Sequence, residues 1–393
     1  MRVPRFVPAF FRRERLGLAV IFAGIAWLYV YIGVPPQYAL RFTKANGDYY
    51  NLLTDGFLAG RLGLSIDPPP ALVALADPYD PVQRQQLGGI DMHDVAYYKG
   101  RYYLYFGVAP VVTLFLPFRW LTGVHFPQNF ATVLFCAGGY FCSLGLFLGL
   151  RRRYFPDCST GLVWLGSLML GLGNFCLPLL ARNSVWELPI ASAYFYSTAG
   201  FWLLFLGWNS LSHRLAWWWG ASGAFGLAIA SRPHFVFLAA GLGVLWLWRR
   251  WVGMRAAGRW NFQLIVREAL ALFLPVGLII AGLLVYNYQR FGQPFEFGIR
   301  YQLGGYSVIH ATLSSWRFFP INFYLEFLAP AQLQRYFPFF NVVRGYPGPQ
   351  PLEWGGGRIP MACWPTCLSP GWRCWLPCCG RFGFARNVSW AGG

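Results

Sequence analysis

Charge is scarce in this chain, and one of its carriers is almost missing. Only 12% of the 393 residues are Asp, Glu, Lys or Arg, and lysine occurs just at Lys44 and Lys99. So little charge beside 56% hydrophobic residues excludes an ordinary soluble domain and a disordered chain. The near-absence of lysine against abundant arginine points to a GC-rich genome and hence a bacterium. Ionisable residues are also rare in the middle of the apolar runs, which counts against an ion or substrate path through them. No small-residue cleavage site follows the first run, so it reads as a retained helix rather than a removed signal peptide. No internal repeat is evident.

What is present is a set of apolar runs long enough, or nearly so, to cross a bilayer. They fall at 17–34, 129–150, 159–181, 189–208, 215–232, 234–248 and 269–287, with a further stretch at 104–122. These predict an all-α polytopic membrane protein. The net charge of +18 does not indicate a nucleic-acid partner, because the arginines gather at the ends of the runs, where they anchor helices at headgroups. Arg2, Arg5, Arg12, Arg13 and Arg15 precede the first span and predict a cytoplasmic N-terminus.

The stretch 104–122 decides the topology. If it spans, the nine arginines at 151–153, 214, 249, 250, 255, 259 and 267 fall outside; if it does not, they fall inside. The positive-inside rule selects the second arrangement. Pro110, Pro117 and Arg119 agree, since proline interrupts helix hydrogen bonds that lipid cannot replace. The stretch is therefore predicted as a juxtamembrane helix within an external loop, 35–128. The bundle then occupies 129–287, and an external aromatic segment covers 288–360, its second half reading as an interfacial helix.

Half of the acidic residues sit in that first loop: Asp48, Asp55, Asp67, Asp77, Asp80, Asp91 and Asp94. A bundle gains little from carboxylates there, so the loop is where a site for a polar substrate is expected; a solvated loop with Asp-Pro turns is the alternative. Asp48 opens "NGDYYNLLTDGFLAGRLGL", whose apolar residues recur at helical spacing. Asp48 either caps that helix or faces the aqueous boundary as a reactive carboxylate. In "DMHDVAYYKGRYY", Asp91, His93 and Asp94 read as a turn or as ligands for a divalent cation, Mn or Zn for the mixed set and Mg for carboxylates alone. Tyr97, Tyr98, Tyr102, Tyr103 and Tyr105 fit an interfacial aromatic belt, or stack on sugar rings. Arg182 and Arg232 are the only arginines on short external loops, where they either snorkel to headgroups or hold a phosphate.

The order of these features resembles a family. A first span, then an external loop with "GDYY" opening a helix that ends in "AGRL", then the proline-marked "YYKGRYYLYFGVAPVVTLFLPFRWLTG", is similar to the GT-C superfamily of membrane glycosyltransferases, and most to the PMT/ArnT-like group. The group is related to protein mannosyltransferases and lipid A aminoarabinose transferase, and uses polyprenyl-phosphate sugars. The resemblance spans residues 17–290 and implies a GT-C-like bundle. It also implies transfer of a sugar to a hydroxyl on a lipid, glycan or protein acceptor, in a bacterial inner membrane. It puts the catalytic base on Asp48, with Tyr49 beside it. "LLARNSVWELPIASAYF" places Glu187 where such proteins carry a second loop acid, and "GLAIASRPHF" is similar to their short loop between two later spans. This chain departs in having Gly47-Asp48 where an acidic pair is common, and Glu at 187 rather than Asp.

Five of the nine cysteines (Cys363, Cys367, Cys374, Cys378 and Cys379) crowd into an aperiodic tail at 361–393, with neither zinc-ribbon spacing nor a nearby histidine. The tail is expected to be an out-of-frame translation that truncates a longer protein. Two rivals stand beside the transferase expectation: a transporter or flippase for a lipid-linked or polar substrate, and an inactive frameshifted product.

Overall fold

The computed structural model describes residues 9–34, 48–87, 92, 94–182, 184–210, 212–257, 262–305, 307–309, 315–329, 332–333 and 340–341. Asp91, His93 and the tail at 361–393 lie outside the described residues. The chain divides into two units, 1–305 and 306–393.

Among the described residues, six helices of the first unit are long and apolar enough to cross a membrane: Arg13–Gly33, Gln128–Tyr154, Thr160–Arg182, Glu187–Asn209, Pro233–Gly253 and Phe262–Phe291. In chain order the elements are α1 (Ala9–Gly33), α2 (Tyr49–Leu58), α3 (Pro70–Val73), α4 (Pro81–Gln86), β1 (Val95–Tyr98) and β2 (Arg101–Tyr103). A π-turn at Val111–Phe115 then runs into α5 (Leu116–Thr122). There follow α6 (Gln128–Tyr154), α7 (Thr160–Leu172), α8 (Cys176–Arg182), α9 (Glu187–Asn209), α10 (Arg214–Ser231), α11 (Val236–Ala257), α12 (Phe262–Phe291) and β3 (Gln302–Leu303).

The expected span at 215–232 is α10, and it differs from the other six. It is rich in Gly, Ala and Ser, and most of it is buried. Its 18 residues make about 27 Å of helix. It packs along α9 in the antiparallel sense. Trp218 packs on Trp208 near one end, and Ser192 Oγ bonds Ser231 Oγ at 3.0 Å near the other. A helix enclosed by protein on most sides does not need the apolar surface that lipid demands, and small residues let its neighbours approach closely. The notches are specific. Phe225 and Trp218 of α10 fill the space over Gly200 and Gly207 of α9, and Ile279 of α12 fills that over Gly226. The α6–α9 seam repeats the pattern, with Tyr194, Trp202 and Phe205 over Gly139, Gly145 and Gly149.

The run at 159–181 is broken into α7 and α8, and Asn174 repairs the break. Its Nδ2 donates to Leu170 O at 2.9 Å and its Oδ1 accepts from Cys176 N at 3.0 Å. Tyr29 of α1 donates its hydroxyl to Gly171 O at 2.6 Å. Backbone groups freed inside a bilayer must find protein partners, and these side chains supply them. Pro275 lies inside the continuous α12, and next to it Val276 N donates to Ser222 Oγ of α10 at 3.1 Å.

The bundle has two chemically distinct ends. At one, Arg151 pairs with Glu14 at 3.5 Å, Trp164 Nε1 donates to Glu14 O, and Arg214 and Arg250 meet Glu268. At the other lie α2, α5, the 182–187 loop, Arg232 and a small antiparallel sheet of order β2-β1-β3. The helix Val111–Thr122 packs on α2 at this end, where Phe115 stacks on Tyr50. Sequence periodicity gave no warning of the sheet. Its strands are two to four residues long, and β3 comes from beyond α12, so Val95 pairs with Leu303 and Ala96 with Gln302. That pairing ties the first loop to the segment after the last span. Gly107 is pressed against the backbone of Ala230 and Ser231, where a Cβ has no room.

In the second unit, Trp316–Phe318, α13 (Phe319–Phe323) and a π-turn at Tyr324–Leu328 form a short continuous helix. Trp316, Phe319, Phe323 and Phe327 follow one another along it, each ring packed on the next. Two short strands, β4 (Gln332–Leu333) and β5 (Phe340–Asn341), pair antiparallel.

Candidate functional site

The site is built on one face of α2. The side chain of Asp48 accepts from Asn51 N at 3.2 Å, which satisfies a backbone donor that the first turn leaves free. The opposite face, with Tyr49, Tyr50, Leu52 and Leu53, is buried in the main apolar core. Asp48, Asn51 and Asp55 recur at helical spacing and so share the polar face. Asn51 Nδ2 donates to Asp48 Oδ2 and to Phe126 O, the latter at 2.8 Å. The Asn51 side chain is 2% exposed, and its Oδ1 has no hydrogen-bond partner.

The loop that leads from α5 into α6 closes over this face. His125 Nε2 lies 3.0 Å from both carboxylate oxygens of Asp55, and Arg119 Nε lies 3.4 Å from Oδ1. His125 also acts electrostatically on Asp48. Burial pushes the Asp48 carboxyl above the usual carboxylate range, and the Asn51 hydrogen bonds and His125 only partly offset this. A buried carboxylate without a full countercharge holds its proton longer than a solvated one.

Tyr50 links this face to the second group of expected residues. Its ring is fully buried, its hydroxyl donates to Val185 O at 2.7 Å, and Arg232, Glu187 and Asp48 all act on it electrostatically. Asp48, Glu187 and Arg232, from three separate parts of the chain, thus all lie within electrostatic reach of one phenol. Glu187 is 4% exposed and committed to protein partners: Oε1 sits 3.2 Å from Arg182 Nε and Oε2 accepts from Ser184 N at 3.0 Å. Arg182 also lies over the Trp186 ring at 4.4 Å, so its charge is matched by Glu187 and its plane by an aromatic face. Arg232 donates through Nη2 to Trp186 O at 3.0 Å, while its buried Nε has no partner. Of the two arginines expected to meet a phosphate, Arg232 keeps the more available charge.

The other expected residues lie apart. Tyr97 is buried between Tyr79 and Tyr102, and Tyr98 packs on Phe291 and Tyr301 beneath Lys99. Tyr79 donates its hydroxyl to Tyr97 O at 2.7 Å, and burial pushes the Tyr102 phenol up to about 12. These rings pack on one another around the small sheet, Tyr97 and Tyr102 buried and Tyr98 half-buried. Tyr49 is buried among the same core residues, within electrostatic reach of Tyr102. Asp94 is buried with a positive φ of 57° and accepts from Gln302 Nε2 across to β3. Asp91 and His93, expected as its fellow ligands, lie outside the described residues. Among the described residues no group of three or more His, Cys, Asp or Glu is placed to hold a metal ion.

Sequence reasoning did not single out Tyr50, Asn51, Asp55, Arg119 or His125. The spacing of Asp48, Asn51 and Asp55 on one helical face was available as a signal. His125 lies 70 positions beyond Asp55, and no local pattern joins the two. Compared with models of protein families, with curated proteins and with solved structures, the chain matches none.

Proposed function

We propose that the chain is a GT-C-type membrane glycosyltransferase of the PMT/ArnT-like kind. It transfers a sugar from a polyprenyl-phosphate donor to a hydroxyl on a lipid, glycan or protein acceptor. The reading places it in a bacterial inner membrane with the arginine end in the cytoplasm, as the charge distribution favours, and the Asp48 end outside. The observation that supports it best is that Tyr50 lies within electrostatic reach of both Asp48, a half-buried carboxylate with a raised pKa, and Arg232, an incompletely bonded arginine.

The chemistry follows from these two groups. A base whose pKa lies nearer the working pH than an ordinary carboxylate's accepts a hydroxyl proton more effectively. Asp48 takes the acceptor proton as the acceptor oxygen bonds to the anomeric carbon and the bond from that carbon to the phosphate oxygen breaks. Arg232 offsets the charge that builds on the departing phosphate. One base and one departure give inversion, with no covalent intermediate.

Asparagine caps a helix about as well as aspartate, so Asp48→Asn separates the cap from the base. Transfer of radiolabelled sugar from a panel of polyprenyl-phosphate sugars is compared in membranes holding equal amounts of wild type and Asp48→Asn. The reading expects the variant to lose roughly 100-fold or more. Equal transfer by both would leave Asp48 as a cap alone.

A further inference from the structure

The opposite end of the bundle holds a cluster that the proposed transfer does not use. Glu268 of α12 is fully buried and meets two guanidiniums, Arg250 of α11 and Arg214 of α10, the latter at 3.7 Å. Arg249 lies over Trp208 and Trp218 at 5.4 and 5.6 Å and has no carboxylate partner among the described residues. Arg214 and Arg249 both act electrostatically on Arg250, so three guanidiniums share one carboxylate, an excess of two positive charges. Arg214 Nε, Arg249 Nη1 and Arg250 Nε are buried and without hydrogen-bond partners, as are the two oxygens of Glu268, so the donors outnumber the acceptors present. Unpaired charge and unmet donors at one spot call for an anion with several acceptor oxygens.

On the same helices is an apolar slot of about 320 Å³ between the first turns of α10 and the second and third turns of α12. Leu215, Ala216 and Trp219 line one wall, and Arg267, Leu270 and Ala271 the other. Leu215 follows Arg214 on α10, and Ala271 lies three residues beyond Glu268 on the same face of α12, so the slot lies on the turns that carry the charge. We infer that cluster and slot together bind one anionic phospholipid of the leaflet at the arginine end. Its phosphate sits on Arg214, Arg249 and Arg250, and part of an acyl chain lies in the slot. Basic pockets between membrane helices meet lipid phosphates in this way, and the apolar slot selects a lipid over a free anion.

The test uses the purified, delipidated full chain in detergent, titrated with phosphatidylglycerol or phosphatidylcholine and read by native mass spectrometry. Wild type is expected to retain phosphatidylglycerol in preference, and millimolar inorganic phosphate should not displace it. Arg249→Gln leaves Glu268 paired and is expected to lower retention about fivefold to tenfold. Ala216→Trp, at an exposed position, fills the slot without touching the arginines and should also lower retention. If Arg249→Gln does not remain monodisperse, Ala216→Trp decides alone. Equal retention of the two lipids by wild type, full displacement by inorganic phosphate, or unchanged retention in the folded variants would each overturn the inference.

Discussion

Glu187 was expected to touch substrate, yet both of its carboxylate oxygens are occupied by protein, and a double-mutant cycle with Arg182 tests which role it has. At 3.2 Å, and with an effective dielectric near 20, the pair is worth about 5 kcal/mol of Coulomb attraction before desolvation is subtracted. Glu187→Gln keeps an acceptor for Ser184 N and removes only the charge, so it isolates that pair. Arg182 is one quarter exposed, and once unpaired it recovers part of its hydration. The expected loss for Glu187→Gln is therefore near the lower end of the range for breaking a buried pair, about 3 kcal/mol. Arg182→Met should cost at least as much, because it strands the more deeply buried partner. The double variant should be less destabilised than the sum of the two by roughly 2 kcal/mol or more. Thermal unfolding in detergent, followed by size exclusion, measures all four proteins. Additive losses would show that the two side chains do not support each other, and would return Glu187 to the residues free to meet a sugar.

Transfer should rise with pH along a limb set by Asp48, because the base acts only when ionised and its folded pKa lies above the ordinary value. The limb should vanish in Asp48→Asn, and a wild-type profile flat from acid to neutral pH would contradict it. The sign for stability is opposite. The fold favours protonated Asp48, so its contribution is fully present below the unfolded pKa and is lost as pH rises through the folded one, as unfolding of wild type and Asp48→Asn across pH would show. Asn174→Ala should lower stability by about 1 to 3 kcal/mol, since it strands Leu170 O and Cys176 N inside the bundle, and an unchanged melting temperature would mean that water replaces the amide. In otherwise cysteine-free protein, a cysteine at Gln85 should be labelled in intact cells and one at Arg255 only after permeabilisation; the reverse pattern would invert the orientation.

Much of the bundle was legible because its signals are local. Apolar runs of helical length, arginines at their ends and prolines in 104–122 each act within a few turns of chain, and together they yield the helices and their ends. The class of α10 was less legible. A helix shielded by α9 and α12 has no need of a lipid-compatible surface, so its Gly, Ala and Ser content makes sense only once its neighbours are known. Asp48 stood out because a carboxylate opening a helix after the first span is conspicuous on its own.

What the chain alone determines is therefore membrane insertion, the helices and the asymmetry of charge between the two ends, because each depends on composition and short-range period. What only tertiary structure decided is which groups meet. Asp55 finds His125 and Arg119, Tyr50 gathers Asp48, Glu187 and Arg232, and β3 returns from beyond the last span to close the small sheet on β1. Apart from Asp48 beside Tyr50, those meetings join residues tens to hundreds of positions apart. They form because helices packed ring-into-notch bring their ends to one place, and no periodicity along the chain encodes that meeting.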